Sequence, residues 1–281
     1  MATSPGCAFA TEEALNSLHE RSHGLKLDLC LSVQTAEDEA CLRASYPHAN
    51  IFYPNLNRIE CLKNKSRYRS AIHSEILNQS WKMKTDTDFA IIMDNDVFLS
   101  GSQKLSDLFK MMKSNQAVIF GTSFPKQNLL SRLLGHKDYK PLDVPNLIFS
   151  ILDLSYYKKF QTICDFANLM LDSKKTFFDD SAPEKLQGKM IDTAAKLYVR
   201  PITEKRKYFT FSCINSFHPY FPGSMKNFLF GGVYSPELYS FKGLDLNIHH
   251  FKKLSSPSFQ NSKHRKEAYE SWRLRITSSY S

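Results

Sequence analysis

The chain has 281 residues, of which 42% are hydrophobic and 13% aromatic, and it carries a formal net charge of +9 at pH 7. A chain of this length and composition can bury a full core as one large domain or two small ones, which excludes a disordered tail or a fibre. The basic balance indicates an anionic partner, which could be nucleic acid, an acidic membrane surface or a phosphorylated small molecule.

Cysteine spacing and hydropathy indicate the cellular compartment. The 6 cysteines are scattered without any C-x-x-C pair, so they indicate neither a zinc cage nor a disulfide framework and favour a reducing compartment. The sequence has no run of about 18 apolar residues that could span a bilayer, and no basic segment followed by an apolar one near its start. We therefore predict a cytoplasmic protein, at most peripheral to a membrane.

In the first third of the chain, helical and extended patterns alternate. Residues 11–21 predict a helix with Thr11 as its N-cap, and residues 25–33 (LKLDLCLSV) alternate as a strand does. A helix over 36–44, a short strand at 50–54, a long helix over 59–81 and a strand at 89–93 follow. Such a series predicts an α/β fold with a mainly parallel central sheet flanked by helices, whose ligands lie beyond the carboxyl ends of the strands.

The rest of the chain alternates less regularly. A helix over 104–114 leads to a strand at 117–123, and residues 124–146, rich in Lys, Pro, Gly and Asn, predict a long loop. Beyond this loop the patterns predict a helix near 183–198, aromatic strands near 208–217 and 228–234, and a basic tail. This half could form a C-terminal lobe built onto the same sheet.

Two aspartates follow the apolar strand in the stretch DFAIIMDNDVFLSG, residues 88–101. Asp94 and Asp96 point to the same side of an extended chain, so both can face one divalent cation, and carboxylates are ligands that Mg²⁺ and Mn²⁺ prefer. Asp-Asn-Asp is also an ordinary strand-ending turn, because these residues hydrogen-bond their own backbone. The apolar residues on both sides of the motif favour the metal site.

Two other polar groups could join this site. On the helix before the strand, Ser70 and His73 lie on one polar stripe, which could equally be a solvated basic face. Near the C-terminus, LNIHHFKKLSS places His249 and His250 side by side. Adjacent residues of a strand point to opposite sides, so only one of these histidines can easily join a metal shell. The alternative is one packed histidine and one exposed.

An apolar strand, D-x-D and a second apolar run together resemble the motif of nucleotide-diphospho-sugar glycosyltransferases with the GT-A-type fold, which is Rossmann-related. The resemblance implies that Asp94 and Asp96 bind Mn²⁺ or Mg²⁺ at the donor's diphosphate, and that a late histidine, His249 or His250, completes the metal site. It also implies donor contacts, for which the candidates are Arg67, Ser70, His73, Asn95 and Lys252, with Arg58 a weaker one.

The same resemblance implies a single glycosyltransferase domain over 1–281, with a nucleotide-sugar-binding half at 1–123, an acceptor-side half at 124–255 and a basic tail at 256–281. On the acceptor side, an acidic residue would take the proton from the attacking hydroxyl. Asp192 is the first candidate and Asp180 the second, although Asp192 could instead be an N-cap. The family's chain begins with a base-binding strand, for which only GCAFA is left here, so this strand is short, degenerate or missing and the base stays open.

The implied partners are a nucleotide diphosphate-sugar donor and a glycan or lipid-linked acceptor, with no nucleic acid. The tail sets Tyr269, Trp272 and Ile276 on one helical stripe, which could lie on an acidic membrane but which we expect to pack on the domain. Two other functions stay open. One is a D-x-D phosphatase, whose motif has Thr or Val where this chain has Phe98. The other is a non-catalytic basic nucleic-acid-binding protein, although the sequence shows no such motif.

Overall fold

The computed structural model describes residues 1–62, 68–83, 86–123, 144–162, 164, 178–188, 195–215, 236–251 and 262–279. The helices are α1 (Ala8–Arg21), α2 (Ala36–Ser45), α3 (Tyr68–Lys82), α4 (Leu105–Asn115), α5 (Leu154–Tyr157), α6 (Ala195–Thr203) and α7 (Ser262–Ser279), with a short 3-10 helix at Asn57–Leu62. The strands are β1 (Cys30–Ser32), β2 (Asn50–Phe52), β3 (Phe89–Met93), β4 (Val97–Ser100), β5 (Ala117–Ser123), β6 (Pro145–Asp153), β7 (Lys207–Asn215), β8 (Pro236–Ser240) and β9 (Asn247–Phe251). The predicted α/β class is confirmed.

The first strands form a small parallel sheet apart from the main one. β1 pairs with β2 in parallel, and Ala2 forms a further parallel bridge with Ser32. The strand predicted at 25–33 is shortened to β1, because its partner β2 is itself only three residues long. Helix α2 follows as predicted, and its N-cap Thr35 accepts a hydrogen bond from Asp38 N at 3.1 Å.

The N-cap predicted at Thr11 is wrong. Helix α1 begins at Ala8, so Thr11 lies inside the helix, where its hydroxyl is 3.1 Å from that of Thr3. GCAFA forms a turn and the start of α1, which agrees with the expectation that the base-binding strand is short, degenerate or missing in this segment. The Asp38 carboxylate accepts from Gly6 N at 2.8 Å and from Ala8 N at 2.9 Å, and so it satisfies N–H groups that a helix start leaves without partners.

The main sheet has seven strands in the order β3-β6-β5-β7-β8-β9-β4. Among these described strands, β5 and β7 form the one parallel pair, and the other neighbours run antiparallel. The prediction of a mainly parallel sheet is therefore wrong. Strand β6 inserts between β3 and β5 antiparallel to both, and β8 and β9 form a hairpin. Antiparallel neighbours need no crossover helix, so helix–strand alternation does not reveal them.

Strand β7 joins the two halves of this sheet. Its first part pairs with β5, whereas its last residues, from Ser212, pair with β8. The strands β3 and β4 stand at opposite ends of the strand order, yet only Asp94, Asn95 and Asp96 separate them in the chain. The sheet therefore bends until its two end strands meet at an Asp-Asn-Asp corner. Buried residues from both halves share one core, among them Met93, Val97, Phe149, Phe211 and Tyr239.

The other predicted elements vary in outcome. Helix α4 and strands β5 and β7 lie where the patterns predicted them. The helix predicted over 59–81 is replaced by the 3-10 helix and by α3. Of the helix predicted near 183–198, residues 184–188 form turns, residues 189–194 lie outside the described residues, and 195–198 belong to α6. The strand predicted near 228–234 and most of the loop predicted at 124–146 lie outside the described residues.

Helix α7 packs against the body of the domain, as we expected for its aromatic stripe. Tyr269, Trp272 and Ile276 are buried in a cluster with Phe98 of β4 and Phe251 of β9. An ion pair of 3.3 Å between Arg273 and Glu13 also joins α7 to α1. No helix in the described part of the chain is both long and apolar enough to cross a membrane.

Candidate metal centre

The Asp-Asn-Asp corner is fixed by both halves of the sheet. Asp94 N donates to Ile148 O at 2.9 Å, which extends the β3–β6 ladder, and Phe251 N donates to Asp96 O at 2.8 Å, which extends the β4–β9 ladder. The backbone is therefore held on each side of Asn95. Both carboxylates are positioned by paired strands, which hold a site more accurately than a free loop does.

Three side chains converge at this corner. Asp94, Asp96 and His250 each offer one ligand atom, and these atoms all lie within 4.8 Å of one another. His250 Nε2 is 3.3 Å from Asp96 Oδ1, and both residues are buried at 8% exposure. Two carboxylates and an imidazole are ligands that a divalent cation such as Mn²⁺ accepts, and the spacing leaves room for one ion. The three residues therefore fit a divalent cation.

A buried carboxylate holds the second nitrogen of His250. Glu237 lies opposite His250 in the β8–β9 pair, and its Oε2 is 2.8 Å from His250 Nδ1. The same oxygen accepts a hydrogen bond of 2.8 Å from the Tyr239 hydroxyl. The sequence patterns did not single out Glu237 or Tyr239. The available signal was the short segment PELYS, in which Glu and Tyr two residues apart share one face of a strand just before the histidine strand.

Burial and neighbouring charges shift the titration of these groups. Burial raises the pKa of Asp94 to about 6, against a lowering by the charge of His73 and with a further increase from Asp96. Burial would lower the pKa of His250, but the carboxylates of Asp96 and Glu237 raise it to about 10. The imidazole therefore carries protons on both nitrogens at neutral pH when no cation competes for it. Burial also raises the pKa of Tyr239 well above its usual range, so its hydroxyl remains a donor.

His249 lies on the opposite face of β9 from this group. Its Nε2 is 2.8 Å from Ser100 Oγ, and its ring lies 6.4 Å from that of Phe98, which belongs to the cluster beneath α7. The structure therefore does not bring His249 to Asp94 and Asp96, contrary to its place among the candidate ligands. The physical reason is the alternation of side chains along a strand, which allows one of two adjacent histidines to face the corner.

Two candidate donor contacts lie at the corner. His73, on α3, places its Nε2 3.5 Å from Asp94 Oδ1. Asn95 is only 6% exposed, and its amide nitrogen has no hydrogen-bond acceptor among the described residues. A buried donor without an acceptor is costly, at about 1–3 kcal/mol, so the amide is a group that a ligand oxygen could satisfy.

None of the other candidates is seen at the corner in the described part of the chain. Arg67, Lys252 and Asp192 lie outside the described residues, and Ser70 belongs to α3 without a described side chain. Arg58 is exposed on the 3-10 helix. Asp180 is exposed in the turns of 178–188, where its carbonyl accepts a hydrogen bond of 2.9 Å from the Gln187 side chain.

Two solved structures of glycosyltransferases are similar to this chain. Mouse xyloside xylosyltransferase 1, in its apo form, matches with a TM-score of 0.42 and 12% identity, over 74% of this chain and 83% of that chain. The galactosyltransferase LgtC, in complex with donor and acceptor sugar analogues, matches with a TM-score of 0.39 and 14% identity, over 57% of this chain and 58% of that chain. No protein-family model and no curated protein sequence matches the chain.

Proposed function

We propose that the protein is a metal-dependent glycosyltransferase that moves a hexose or a related sugar from a nucleotide diphosphate-sugar to an acceptor hydroxyl, in glycan or glycolipid synthesis. The observation that carries this proposal is the convergence of Asp94, Asp96 and His250 within 4.8 Å. A strand-ending turn would explain the two aspartates. It would not explain a buried histidine, from a strand far along the chain, that lies against the second carboxylate.

Asp94, Asp96 and His250 would hold the cation. An imidazole in the ligand set favours Mn²⁺ over Mg²⁺, because Mg²⁺ prefers a shell made of oxygen atoms alone. A divalent cation bound there would balance the negative charge that grows on the leaving diphosphate. The net charge of +9 also favours an anionic donor.

Other residues would contact the donor and the acceptor. His73, 3.5 Å from Asp94, is suited to donate to a phosphate or sugar oxygen, and the buried amide of Asn95 to a ribose or sugar oxygen. Arg67, Ser70 and Lys252 are proposed as further donor contacts, because a guanidinium and an ammonium bind phosphate well. If the transfer inverts the anomeric centre, Asp192 would be the base, with Asp180 as the second candidate.

A thermal-shift screen tests the proposal. Nucleotides and sugar nucleotides are added to the wild-type protein with and without Mn²⁺, and the measurement is repeated on Asp96→Asn. We expect at least one sugar nucleotide to raise the Tm only when Mn²⁺ is present. Asp96→Asn should lose this increase, because it removes one of the two carboxylate charges while keeping the shape of the side chain.

Asp88→Asn is the matched control. Asp88 immediately precedes the same strand β3, at the end remote from the corner, and its exposed carboxylate pairs with Lys113 at 2.7 Å. This variant should keep the full Mn²⁺-dependent increase. If no sugar nucleotide stabilises the wild-type protein in a Mn²⁺-dependent way, the proposal is wrong. Release of inorganic phosphate from a generic ester, abolished in Asp94→Asn, would indicate a phosphatase instead.

A further inference from the structure

We propose that Glu237, supported by Tyr239, is a positioning residue that holds the His250 imidazole with Nε2 directed at the cation site and thereby sets the metal affinity. This inference depends on the proposed function, since it requires the corner to bind a cation. It concerns two residues outside the D-x-D motif, on a strand that the motif does not include.

The strand register brings the three side chains together. Glu237 is the direct partner of His250 across the β8–β9 pair, and Tyr239 pairs with Ile248 in the same ladder. Because Glu237 and Tyr239 are two residues apart on one strand, both side chains lie on the face that carries His250. The bonds from His250 Nδ1 and the Tyr239 hydroxyl to Glu237 Oε2, both 2.8 Å, follow from this arrangement.

A carboxylate in this position determines how an imidazole binds a metal. When Nδ1–H donates to Glu237, the proton stays on that nitrogen, and Nε2 presents its lone pair to an ion once its own proton has left. The carboxylate also makes the ring a stronger ligand. The Tyr239 hydroxyl, bonded to the same oxygen, keeps the Glu237 side chain from turning away.

The charge balance of the pocket supports the same conclusion. Glu237 is 2% exposed, and a buried carboxylate is costly unless a positive group or several hydrogen bonds compensate it. Three carboxylates, those of Asp94, Asp96 and Glu237, surround one imidazole. His73, 3.5 Å from Asp94, and the N-terminal ammonium also act on the Asp94 side of the corner. A divalent cation beside His250 Nε2 would be attracted by the same carboxylates that hold the imidazole.

The test compares Glu237→Gln, Tyr239→Phe and Ser100→Ala with the wild-type protein. Mn²⁺ affinity is measured from the electron paramagnetic resonance signal of free Mn²⁺, and nitrogen coordination from the nitrogen modulation in the spin echo of bound Mn²⁺. We expect Glu237→Gln to weaken Mn²⁺ binding by about 10- to 100-fold, as loss of such outer partners does in other metal sites, and to reduce the nitrogen modulation. Tyr239→Phe should weaken binding less, because Glu237 remains.

Ser100→Ala is the matched control, because it removes the equivalent 2.8 Å bond from the neighbouring His249 on the other face. It should leave Mn²⁺ affinity unchanged. If Glu237→Gln is folded and binds Mn²⁺ with wild-type affinity and modulation, Glu237 is only a structural partner and the inference is wrong. If Glu237→Gln does not fold, Tyr239→Phe decides in the same way. If the wild-type protein does not bind Mn²⁺, the metal site itself is wrong. If the wild-type protein and the variants bind Mn²⁺ equally well, only the role of Glu237 is wrong.

Discussion

His249 and His250 are neighbours on one strand, and they face two different environments. His250 faces the bend of the sheet, where carboxylates lie on both of its ring nitrogens at 2.8 and 3.3 Å. His249 faces the other way, towards Ser100 and the ring of Phe98. Both are buried, at 3% exposure for His249 and 8% for His250. Burial therefore does not distinguish the two histidines, whereas the chemistry of their neighbours does.

This difference shows how a single strand can serve a site and a core at once. Residues on one face of β9 complete the candidate metal centre, and residues on the other, such as Phe251, pack beneath α7. A shift of one residue in the β8–β9 register would exchange the two faces. The register therefore decides which histidine can act as a ligand.

The largest expected effect is on stability in the presence of a chelator. His250→Ala would remove the cationic group that the buried carboxylates of Asp96 and Glu237 share, so we expect a loss of about 3–5 kcal/mol in the free energy of unfolding. His249→Ala removes a hydrogen bond to Ser100 without exposing a charge, and should cost about 1–3 kcal/mol. Urea unfolding of both variants in EDTA measures the difference. Equal losses of unfolding free energy in the two variants would mean that His250 does not stabilise the buried carboxylates around it.

The same pair of variants should differ in Mn²⁺ affinity. His250→Ala removes a proposed ligand and should weaken binding by about 100-fold or more, since loss of an outer partner alone costs about 10- to 100-fold. His249→Ala should bind Mn²⁺ as the wild-type protein does. Isothermal titration calorimetry at one pH measures both affinities. A weaker affinity in His249→Ala than in His250→Ala would show that the assignment of the two faces is reversed.

Stability in the chelator should also depend on pH through His250. Its pKa rises from 6.5 to about 10 on folding, so the folded state holds the proton more tightly. Its contribution to stability is complete below pH 6.5 and is lost as the pH rises through about 10. The loss should be smaller than that caused by His250→Ala, because the neutral ring still donates one hydrogen bond.

Urea unfolding across this pH range checks the prediction, with His250→Ala as the control that should lack this component. Asp94 adds a separate change of the same sign at lower pH. Burial raises the pKa of Asp94 from 3.8 to about 6. Its contribution to stability is therefore complete below pH 3.8 and is lost as the pH rises through about 6. A wild-type stability that increases between pH 6.5 and 10 relative to His250→Ala would contradict the proposed charge state of His250.

The smallest expected effect concerns the face without the metal centre. Ser100→Ala removes the hydroxyl partner of His249 and should lower the free energy of unfolding by about 1 kcal/mol. The loss should be the same with and without Mn²⁺, because Ser100 belongs to the other face of the sheet. Unfolding curves measured in EDTA and in Mn²⁺ check this. A loss that depends on Mn²⁺ would mean that the two faces are coupled.

Local patterns predicted much of the fold and part of the candidate site. The sequence predicts strand β3 and helix α4, and it shows apolar residues resuming after Asp96, where β4 forms. Strand alternation also predicted that only one histidine of the pair would face the site. These features could be predicted because they depend on residues close together in the sequence.

The parts that failed depend on contacts between distant segments. Helix α1 starts at Ala8 rather than Thr11 because Asp38, 30 residues later, accepts a hydrogen bond from its first N–H group. The sheet is mixed because β6 inserts between β3 and β5. Neither event leaves a periodic signal in the sequence.

The sequence by itself determined the two aspartates at a strand end, the histidine pair and the rule that only one histidine could join them. Only the tertiary structure decided that His250 is that histidine and that Glu237, bonded to Tyr239, contacts its second ring nitrogen. The physical reason is that a pattern of period two separates the faces of a strand but cannot say which face meets the corner. The register of β9 against β4 and β8, fixed by main-chain hydrogen bonds, settles that choice.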